Sequence, residues 1–228
     1  MLRSALAVLA VLSAALGLHL ASAAQLPLAT SQVFAQDVPG TIPVSQPLAL
    51  DDMGGFQNLS GRVAEIGGPW LVHRGWFQVW NGGARRIGWE DAGIASLDVS
   101  AQRVRVTSNV ATSGRFDMAV AARVNNNGRR GIHAVWRGDQ AGQLQIVFVR
   151  GGTRTVLAAQ TGLPTGPGLL TLEVDGTQVT ASIHGSTISA TLTPAQDNAL
   201  GGTRAGIWAY GSNSWNDPFT DFVVESLP

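Results

Sequence analysis

The stretch Leu170-Thr-Leu-Glu-Val-Asp-Gly-Thr-Gln-Val-Thr-Ala-Ser-Ile183 contains the strongest indication of the fold. On each side of Asp175-Gly176, apolar and polar residues alternate, and this period of two is typical of strands that bury one face. Asp-Gly is a preferred pair for a two-residue type I′ turn, in which both central residues have positive φ. The stretch therefore predicts a β-hairpin that turns at Asp175-Gly176.

The same alternation continues outward from this hairpin in both directions. From residue 50 onward, short apolar runs are separated by Gly, Asn and Asp, and no stretch has a convincing helical period. Many short strands without helices are typical of an all-β fold, here an antiparallel two-sheet β-sandwich of the jelly-roll type. The further strands that we predict are 76–80, 116–124, 131–137, 144–149, 153–159, 188–192, 206–210 and 219–225.

The first fifty residues have a different composition. Residues 1–23 combine an early Arg3, an apolar run and a small-residue cleavage signal, as in a secretory signal peptide. The alternative is an uncleaved membrane anchor, because the apolar run is nearly long enough to span a bilayer. Residues 24–49 are rich in Pro, Ser, Thr and Gln, which predicts an extended linker or an added strand. We therefore expect the β-sandwich at residues 50–228, on a protein that is secreted or at the cell surface.

The composition excludes several classes of function. The chain has no Cys, so it cannot form disulfides, a thiolate metal site or a Cys nucleophile. All basic residues are Arg, which excludes a Schiff-base lysine. The formal net charge is zero, so no global field favours nucleic acid or an anionic membrane. We expect no nucleic-acid partner, and membrane contact only through an uncleaved leader.

An ordered series of motifs suggests a known superfamily. The series resembles the concanavalin A-like lectin/glucanase superfamily, especially its laminin-G-like and carbohydrate-binding-module branches, over residues 50–227. This resemblance implies a jelly roll, a fold that carries lectins, glycosidases, adhesion modules and phage tail parts. The motifs are Asp51-Asp-Met53 with Gly54-Gly55, Trp76-Phe-Gln-Val-Trp80, Val135-Trp-Arg-Gly-Asp139, the Val-Asp-Gly hairpin, Gly201-Gly-Thr-Arg-Ala-Gly-Ile207 and Phe219-Thr-Asp-Phe-Val-Val224.

Aromatic residues are the main indication of a ligand. A flat indole can stack on the apolar face of a sugar and also offers an N–H donor. Trp89 and Trp215 adjoin polar loop residues, and Tyr210 and Asn213 adjoin Trp215, so we predict that these four contact a glycan. By contrast, we expect three tryptophans to lie in the core, because each fits the buried face of a strand: Trp76, Trp136 and Trp208.

The strand from Ile132 to Arg137 supplies two polar candidates. Alternate residues of a strand share a face, so His133 and Arg137 point outward if Trp136 is in the core. The resemblance implies that Arg137 lies on the concave sheet and contacts sugar hydroxyls or carboxylates. The alternative for Arg137 is a cross-strand salt bridge.

A calcium site is the one cofactor that the resemblance suggests. Jelly rolls of this type often bind Ca²⁺ near the paired first and last strands, which would place Asp52 and Asp221 there as ligands. The alternative, which we favour, is that both are ordinary strand-end residues. Apart from this structural ion, we expect no cofactor.

The sequence does not identify catalytic residues. The Glu-x-Asp-x-x-Glu pattern of retaining glycosidases is absent, and no His lies in a nucleophile-elbow context. We therefore favour a non-enzymatic carbohydrate-binding or adhesion module whose partner is a polysaccharide or glycan. Two alternatives remain, a self-associating structural subunit of a surface fibre, coat or phage tail, and a glycoside hydrolase whose two carboxyls converge from distant strands.

Overall fold

The computed structural model describes residues 45–88, 92–111, 117–138, 142–210 and 218–228. The described residues belong to one compact unit, which spans Ile42–Pro228. The elements found in them are β1 (Pro47–Asp51), β2 (Gln57–Asn58), β3 (Leu71–Arg74), β4 (Trp76–Val79), β5 (Ala84–Ile87), β6 (Ala92–Asp98), β7 (Val104–Val110), β8 (Asp117–Val124), β9 (Arg130–Arg137), β10 (Gln143–Arg150), β11 (Thr153–Gln160), β12 (Gly168–Asp175), β13 (Gln178–Ile183), β14 (Ser186–Thr191), α1 (Pro194–Ala199), β15 (Arg204–Tyr210) and β16 (Phe219–Ser226).

The strands form two antiparallel sheets. The nine-stranded sheet has the order β14-β13-β12-β7-β16-β5-β4-β2, with β1 paired to β16. The seven-stranded sheet has the order β11-β10-β9-β8-β15-β6-β3. Neighbours that are distant in sequence, such as β7 and β16, show that the chain crosses repeatedly between the sheets. This arrangement confirms the predicted all-β sandwich.

The main core lies between the two sheets. One apolar cluster joins alternate residues of β9 in one sheet, such as Ile132 and Trp136, to alternate residues of β12 in the other, such as Leu170 and Leu172. Burying each such side chain contributes about 1.5–3 kcal/mol. The period of two read from the sequence is therefore the pattern by which each strand contributes to this core.

The predicted hairpin is present, but its turn type differs from the prediction. Asp175 pairs with Gln178, so the two central residues are Gly176-Thr177 and not Asp175-Gly176. Of these residues only Gly176 has positive φ, 59°, which matches a type II′ turn and not type I′. Strands β12 and β13 must place their buried residues opposite each other, as Val174 and Val179 do. This pairing moves the turn one residue later than the predicted Asp175-Gly176.

The type I′ pattern occurs in the next turn. His184 and Gly185 connect β13 to β14, and both have positive φ, 52° and 77°. A His in this conformation is uncommon, since positive φ favours Gly, Asn and Asp. His184 also packs its ring against Trp136, with centroids 5.3 Å apart, so this turn is anchored to the core.

The short helix α1 was not predicted. Thr193 caps its N-terminus by accepting from the Gln196 backbone, and the Gln196 side chain accepts from the Thr193 backbone. Pro194 follows at the first position of the helix. This Thr-Pro-x-Gln pattern is a capping box, a local signal that a search for helical periodicity does not detect. The described residues include no helix long and apolar enough to cross a membrane.

Strand β1 begins at Pro47, inside the segment 24–49 predicted as a linker or added strand. It pairs with β16 through Leu50 and Val223, so the first and last described strands are neighbours. The predicted leader, residues 1–23, lies outside the described residues and stays a prediction.

Candidate functional site

The central strands of the seven-stranded sheet are buried on both faces, whereas most of the edge strand β11 is exposed. All eight residues of β8 are buried, although only alternate ones face the main core. The opposite face, which we call the outer face, carries a second apolar cluster made of Ala92, Ile94, Ala119, Ala121, Val124, Val135, Val147, Val149 and Trp208. An outer face is buried only where other side chains cover it, so this face is enclosed.

Arg154 and Trp208 span the outer face. Their strands, β11 and β15, have three strands between them. At about 4.8 Å per spacing these backbones would be about 19 Å apart in a flat sheet. The Arg154 guanidinium nevertheless lies 4.5 Å from the centroid of the Trp208 ring. The sheet must therefore curve toward this face, and the small side chains of Ala119 and Ala121 leave room for the contact.

A cavity of about 580 Å³ opens on this face. Strand β3, the β8–β9 turn and the β10–β11 turn contribute to its walls, and β9 and β15 contribute His133 and Trp208. We call it the His133 cavity. Its polar and aromatic lining residues are His73, Arg74, Asn127, Arg129, His133, Arg154, Trp208 and Tyr210.

His133 is the most unusual group in the cavity. Its side chain lies on the middle strand between Arg154 and Trp208 and is only 2% exposed. Neither ring nitrogen has a hydrogen-bond partner among the described residues. Burial, together with a smaller effect of the Arg154 charge, lowers the pKa of His133 to about 3. At neutral pH the ring is therefore uncharged and offers one donor and one acceptor.

An aromatic pair forms one side of the cavity. Trp208 and Tyr210 alternate along β15 and so share the outer face, with ring centroids 5.7 Å apart and planes 18° apart. Tyr210 is 45% exposed, whereas Trp208 is buried. The Arg154 guanidinium also lies 5.6 Å from the Tyr210 ring. The pair offers a flat apolar surface beside a cation.

The structure brings together two of the six predicted carbohydrate-contacting residues, His133 and Tyr210. Trp136 lies in the main core as predicted, and His133 and Arg137 accordingly face outward. Arg137, however, donates to Asp117 on the neighbouring strand at 2.9 Å, which is the alternative stated for it. Arg137 does not line the cavity, and its role there stays a prediction.

The other three predicted contacts lie outside the described residues. Trp89 belongs to residues 89–91, which directly precede Ala92, a residue of the cavity wall. Asn213 and Trp215 belong to residues 211–217, which directly follow Tyr210. Their part in the site therefore stays a prediction.

Of the three predictions about tryptophans in the core, the one for Trp76 was wrong. Trp76 is 55% exposed and donates to Asn58 on the edge strand β2, because Phe77 and Val79 are the residues of β4 that face inward. Trp208 is buried, but in the outer cluster and not between the sheets. Burial on the outer face is invisible in a single strand's alternation, since it depends on side chains from other strands.

The acidic groups near the first strand form a different kind of cluster. We call Asp51, Arg62 and Trp70 the Asp51 cluster. Arg62 binds Asp51 through two nitrogens at 2.7 and 2.9 Å, and Trp70 Nε1 donates to the same carboxylate at 2.8 Å. Hydrogen bonding to Asp51 raises the pKa of Arg62. The carboxylate is thus satisfied by the protein itself.

This cluster bears on the predicted calcium ligands. Asp52 lies with Asp51 and Glu65 in a group of carboxylates close enough to hold a metal. The Arg62 guanidinium already binds this group, at 3.5 Å from Asp52 and 3.4 Å from Glu65. Asp221 has other partners, the Asn109 amide and the Thr220 hydroxyl. The role of Asp52 and Asp221 as calcium ligands stays a prediction, and a cation at Asp52 would have to compete with Arg62.

No described residue that lines the cavity is acidic. Glu173 and Asp175, which share a strand face, bind Arg105 on the adjacent strand β7 and Arg103 just before that strand, at 2.6 and 2.7 Å. Glu90 and Asp91 lie outside the described residues. The described part of the cavity is suited to binding and does not supply the two carboxyls that glycoside hydrolysis requires.

Sequence reasoning missed Arg154 and did not show that Trp208 is buried on the outer face. The alternation of Trp208 with Tyr210 could have indicated that the two share a face. Nothing in the sequence links Arg154 to them, because their contact depends on the curvature of a sheet with three strands between them.

No protein-family model and no curated protein matches this chain. Among solved structures, the carbohydrate-binding module CBM66 from Bacillus subtilis matches with a TM-score of 0.56 and 15% identity, over 75% of this chain and 100% of that one. A mutant of the GH43 protein BlXynB from Bacillus licheniformis matches with a TM-score of 0.53 and 14% identity, over 78% of this chain and 38% of that one. The CBM2 module of the evolved Dit of Lactobacillus casei BL23 phage J-1 matches with a TM-score of 0.51 and 14% identity, over 79% of this chain and 95% of that one. Identities this low show a shared fold: the chain has the concanavalin A-like jelly-roll fold.

Proposed function

We propose that this protein is a secreted or cell-surface, non-enzymatic carbohydrate-binding or adhesion module that binds a glycan in the His133 cavity. The observation that carries the proposal is a buried imidazole with two unpartnered nitrogens beside an aromatic pair. Buried polar atoms are nearly always hydrogen-bonded, so an exception calls for an explanation. A ligand that enters the cavity, displaces the side chains that cover the ring and bonds to His133 provides one.

The chemistry of the cavity matches a sugar. A sugar hydroxyl both donates and accepts, as does the neutral His133 ring. The apolar face of a pyranose or furanose can lie on the exposed ring of Tyr210, which stacks against Trp208. Arg154 adds hydrogen-bond donors next to the ring pair. A few directional polar groups beside an aromatic surface are typical of small-ligand sites.

Two of the structural neighbours named above are described as carbohydrate-binding modules, which agrees with the proposal at the level of fold. A single small site is expected to bind weakly, so several copies on one surface would increase the avidity. The predicted signal peptide supports a location outside the cell.

A glycan-array screen of the full chain tests the proposal. Tyr210→Ala removes the exposed stacking surface, and His133→Leu removes the donor and acceptor while keeping the cavity floor apolar. We expect wild type to bind at least one glycan, and each variant to lose at least about tenfold in affinity, because one lost hydrogen bond or stacking contact costs about 1–1.5 kcal/mol.

Trp76→Ala is the matched control, since Trp76 is an exposed aromatic on β4 of the other sheet. It should bind as wild type does, with circular dichroism showing that every variant is folded. Loss of binding in Trp76→Ala but in neither cavity variant would place the site elsewhere. A folded wild type that binds no glycan would favour a structural subunit, and cleavage of a bound glycan would favour a hydrolase.

A further inference from the structure

We propose, resting on the glycan-binding function above, that the His133 cavity selects an acidic sugar with a single negative charge, a carboxylate or a sulfate ester, which binds to the guanidinium of Arg154. Three observations lead to this: the charge of the cavity lining, the state of Arg154, and the position of Arg154 relative to the aromatic pair.

The described lining of the cavity has cations and no anion. Arg74, Arg129 and Arg154 all line it, and no Asp or Glu among the described residues does. The Arg129 side chain, on the β8–β9 turn, has no ion-pair partner among the described residues, and the hydrogen bonds of this residue are made by its backbone N–H and carbonyl. A cavity with this charge attracts an anionic ligand and disfavours a cationic one.

Arg154 itself has unused hydrogen-bonding capacity. The nearest carboxylate oxygen, Asp117 Oδ2, lies 3.8 Å away, beyond hydrogen-bond distance. Asp117 is already bound by Arg137 at 2.9 Å, so one carboxylate faces two guanidinium groups. Among Arg137, Arg154 and Asp117 the positive charges exceed the negative charges by one. A ligand with one negative charge would balance it.

The planar fork of five donors on a guanidinium matches the two oxygens of a carboxylate or sulfate. The Arg154 side chain is 32% exposed, and this partial burial lowers its pKa. A charged hydrogen bond is stronger in such surroundings than in bulk water. Because Arg154 also lies over the Trp208 ring, an acidic group bound to it would place the sugar ring beside Tyr210.

The test uses three oligosaccharides that differ in one group: a uronate-containing chain, its carboxyl-reduced neutral counterpart, and the neutral chain with one sulfate ester. Titration calorimetry of the full-length protein should give an affinity for at least one acidic form that is at least about tenfold above the neutral form. Comparing the affinities for the two acidic forms shows whether the cavity prefers a carboxylate or a sulfate ester. Raising the salt concentration should reduce the preference, because it screens charge.

Arg154→Gln should abolish the preference, so that the variant binds the acidic and neutral forms with affinities within about twofold of each other. Arg103→Gln is the control, since it removes the same charge from an exposed residue of the other sheet that pairs with Asp175. It should keep the preference. Equal binding of all three forms by wild type, or a preference that survives in Arg154→Gln, would overturn the acidic-sugar inference while leaving glycan binding intact. Binding of none of the three, nor of any glycan on the array, would overturn the proposed function itself.

Discussion

The Asp51 cluster and the His133 cavity both place a buried ionisable side chain beside a tryptophan, and they differ in how the protein satisfies it. Asp51 accepts from Arg62, from Trp70 and from the Met53 backbone at 2.7–3.0 Å. His133 has no hydrogen bond within the described residues. The first cluster is complete as folded and holds β1 in place. The second is incomplete, which is the property expected of a binding site.

The two regions also differ in charge. In the Asp51 cluster the buried Arg62 is matched by Asp51, with Asp52 and Glu65 at longer range. On the outer face, Arg137 and Arg154 share the single carboxylate of Asp117. A stabilising cluster balances its charges internally, whereas a site for an anionic ligand keeps a cation in excess. The predictions below test this contrast, from the largest expected effect to the smallest.

Asp51→Ala should cause the largest change, a loss of about 3–5 kcal/mol in the free energy of unfolding. The substitution leaves the Arg62 charge buried without its main partner, and removing one member of a buried ion pair costs about that much. Urea unfolding at pH 7 measures the effect. Asp175→Ala is the control, since it breaks the exposed pair with Arg103, a contact worth less than about 1 kcal/mol. If the two variants lose the same stability, the Asp51 cluster is not the structural element described here.

Acidification should destabilise wild type more than His133→Leu. The pKa of His133 is lowered to about 3 in the folded protein from an ordinary value of 6.5, so below pH 6.5 the unfolded chain binds the proton more readily. The stability that depends on a neutral His133 is full above pH 6.5 and is lost as the pH falls toward 3, by up to about 1.4 kcal/mol per unit.

Between pH 6.5 and pH 5, wild type should therefore lose about 2 kcal/mol relative to His133→Leu. Urea unfolding of both proteins at several pH values measures the difference, and other acid-sensitive groups such as His73 cancel because both proteins contain them. Parallel pH profiles would show that His133 is solvated or hydrogen-bonded in solution, which removes the contrast with Asp51.

At pH 7 the same His133→Leu substitution should have the smallest effect on stability, within about 1 kcal/mol of wild type. The variant loses the ring contact with Trp208 but also loses two unsatisfied buried nitrogens, and the two changes offset each other. A loss of 3 kcal/mol or more, as expected for Asp51→Ala, would mean that His133 is a structural residue.

Several parts of the fold could be predicted because they depend on local sequence. The alternation around Trp136 gave the buried and outward faces of β9, and with them the outward position of His133. The Asp-Gly pair indicated the hairpin. Turn type was less predictable, since the residue before Gly176 is held in the strand by its pairing with Gln178.

The candidate site was predictable only in part. His133 was identified from its position on a strand and Tyr210 from its place beside a polar loop, and both line the cavity. Arg137 pairs with Asp117, the alternative stated for it, and its role in binding stays a prediction. Arg154 was missed because it lies on the edge strand β11, far in the sheet from β15. A search limited to one strand or one loop does not find such a contact.

The sequence by itself determined the class of structure: period-two burial, Gly-rich turns and the absence of Cys specify a β-sandwich held by its apolar core. Which strands became neighbours, and how far the seven-stranded sheet curved, depended on tertiary structure, because these follow from packing between residues that are distant along the chain. That curvature places the Arg154 guanidinium against the Trp208 ring and sets His133 on the strand between them. The same histidine on a flat, solvated sheet would be an ordinary surface residue with its usual pKa. Enclosure by side chains from other strands keeps it neutral and without a partner.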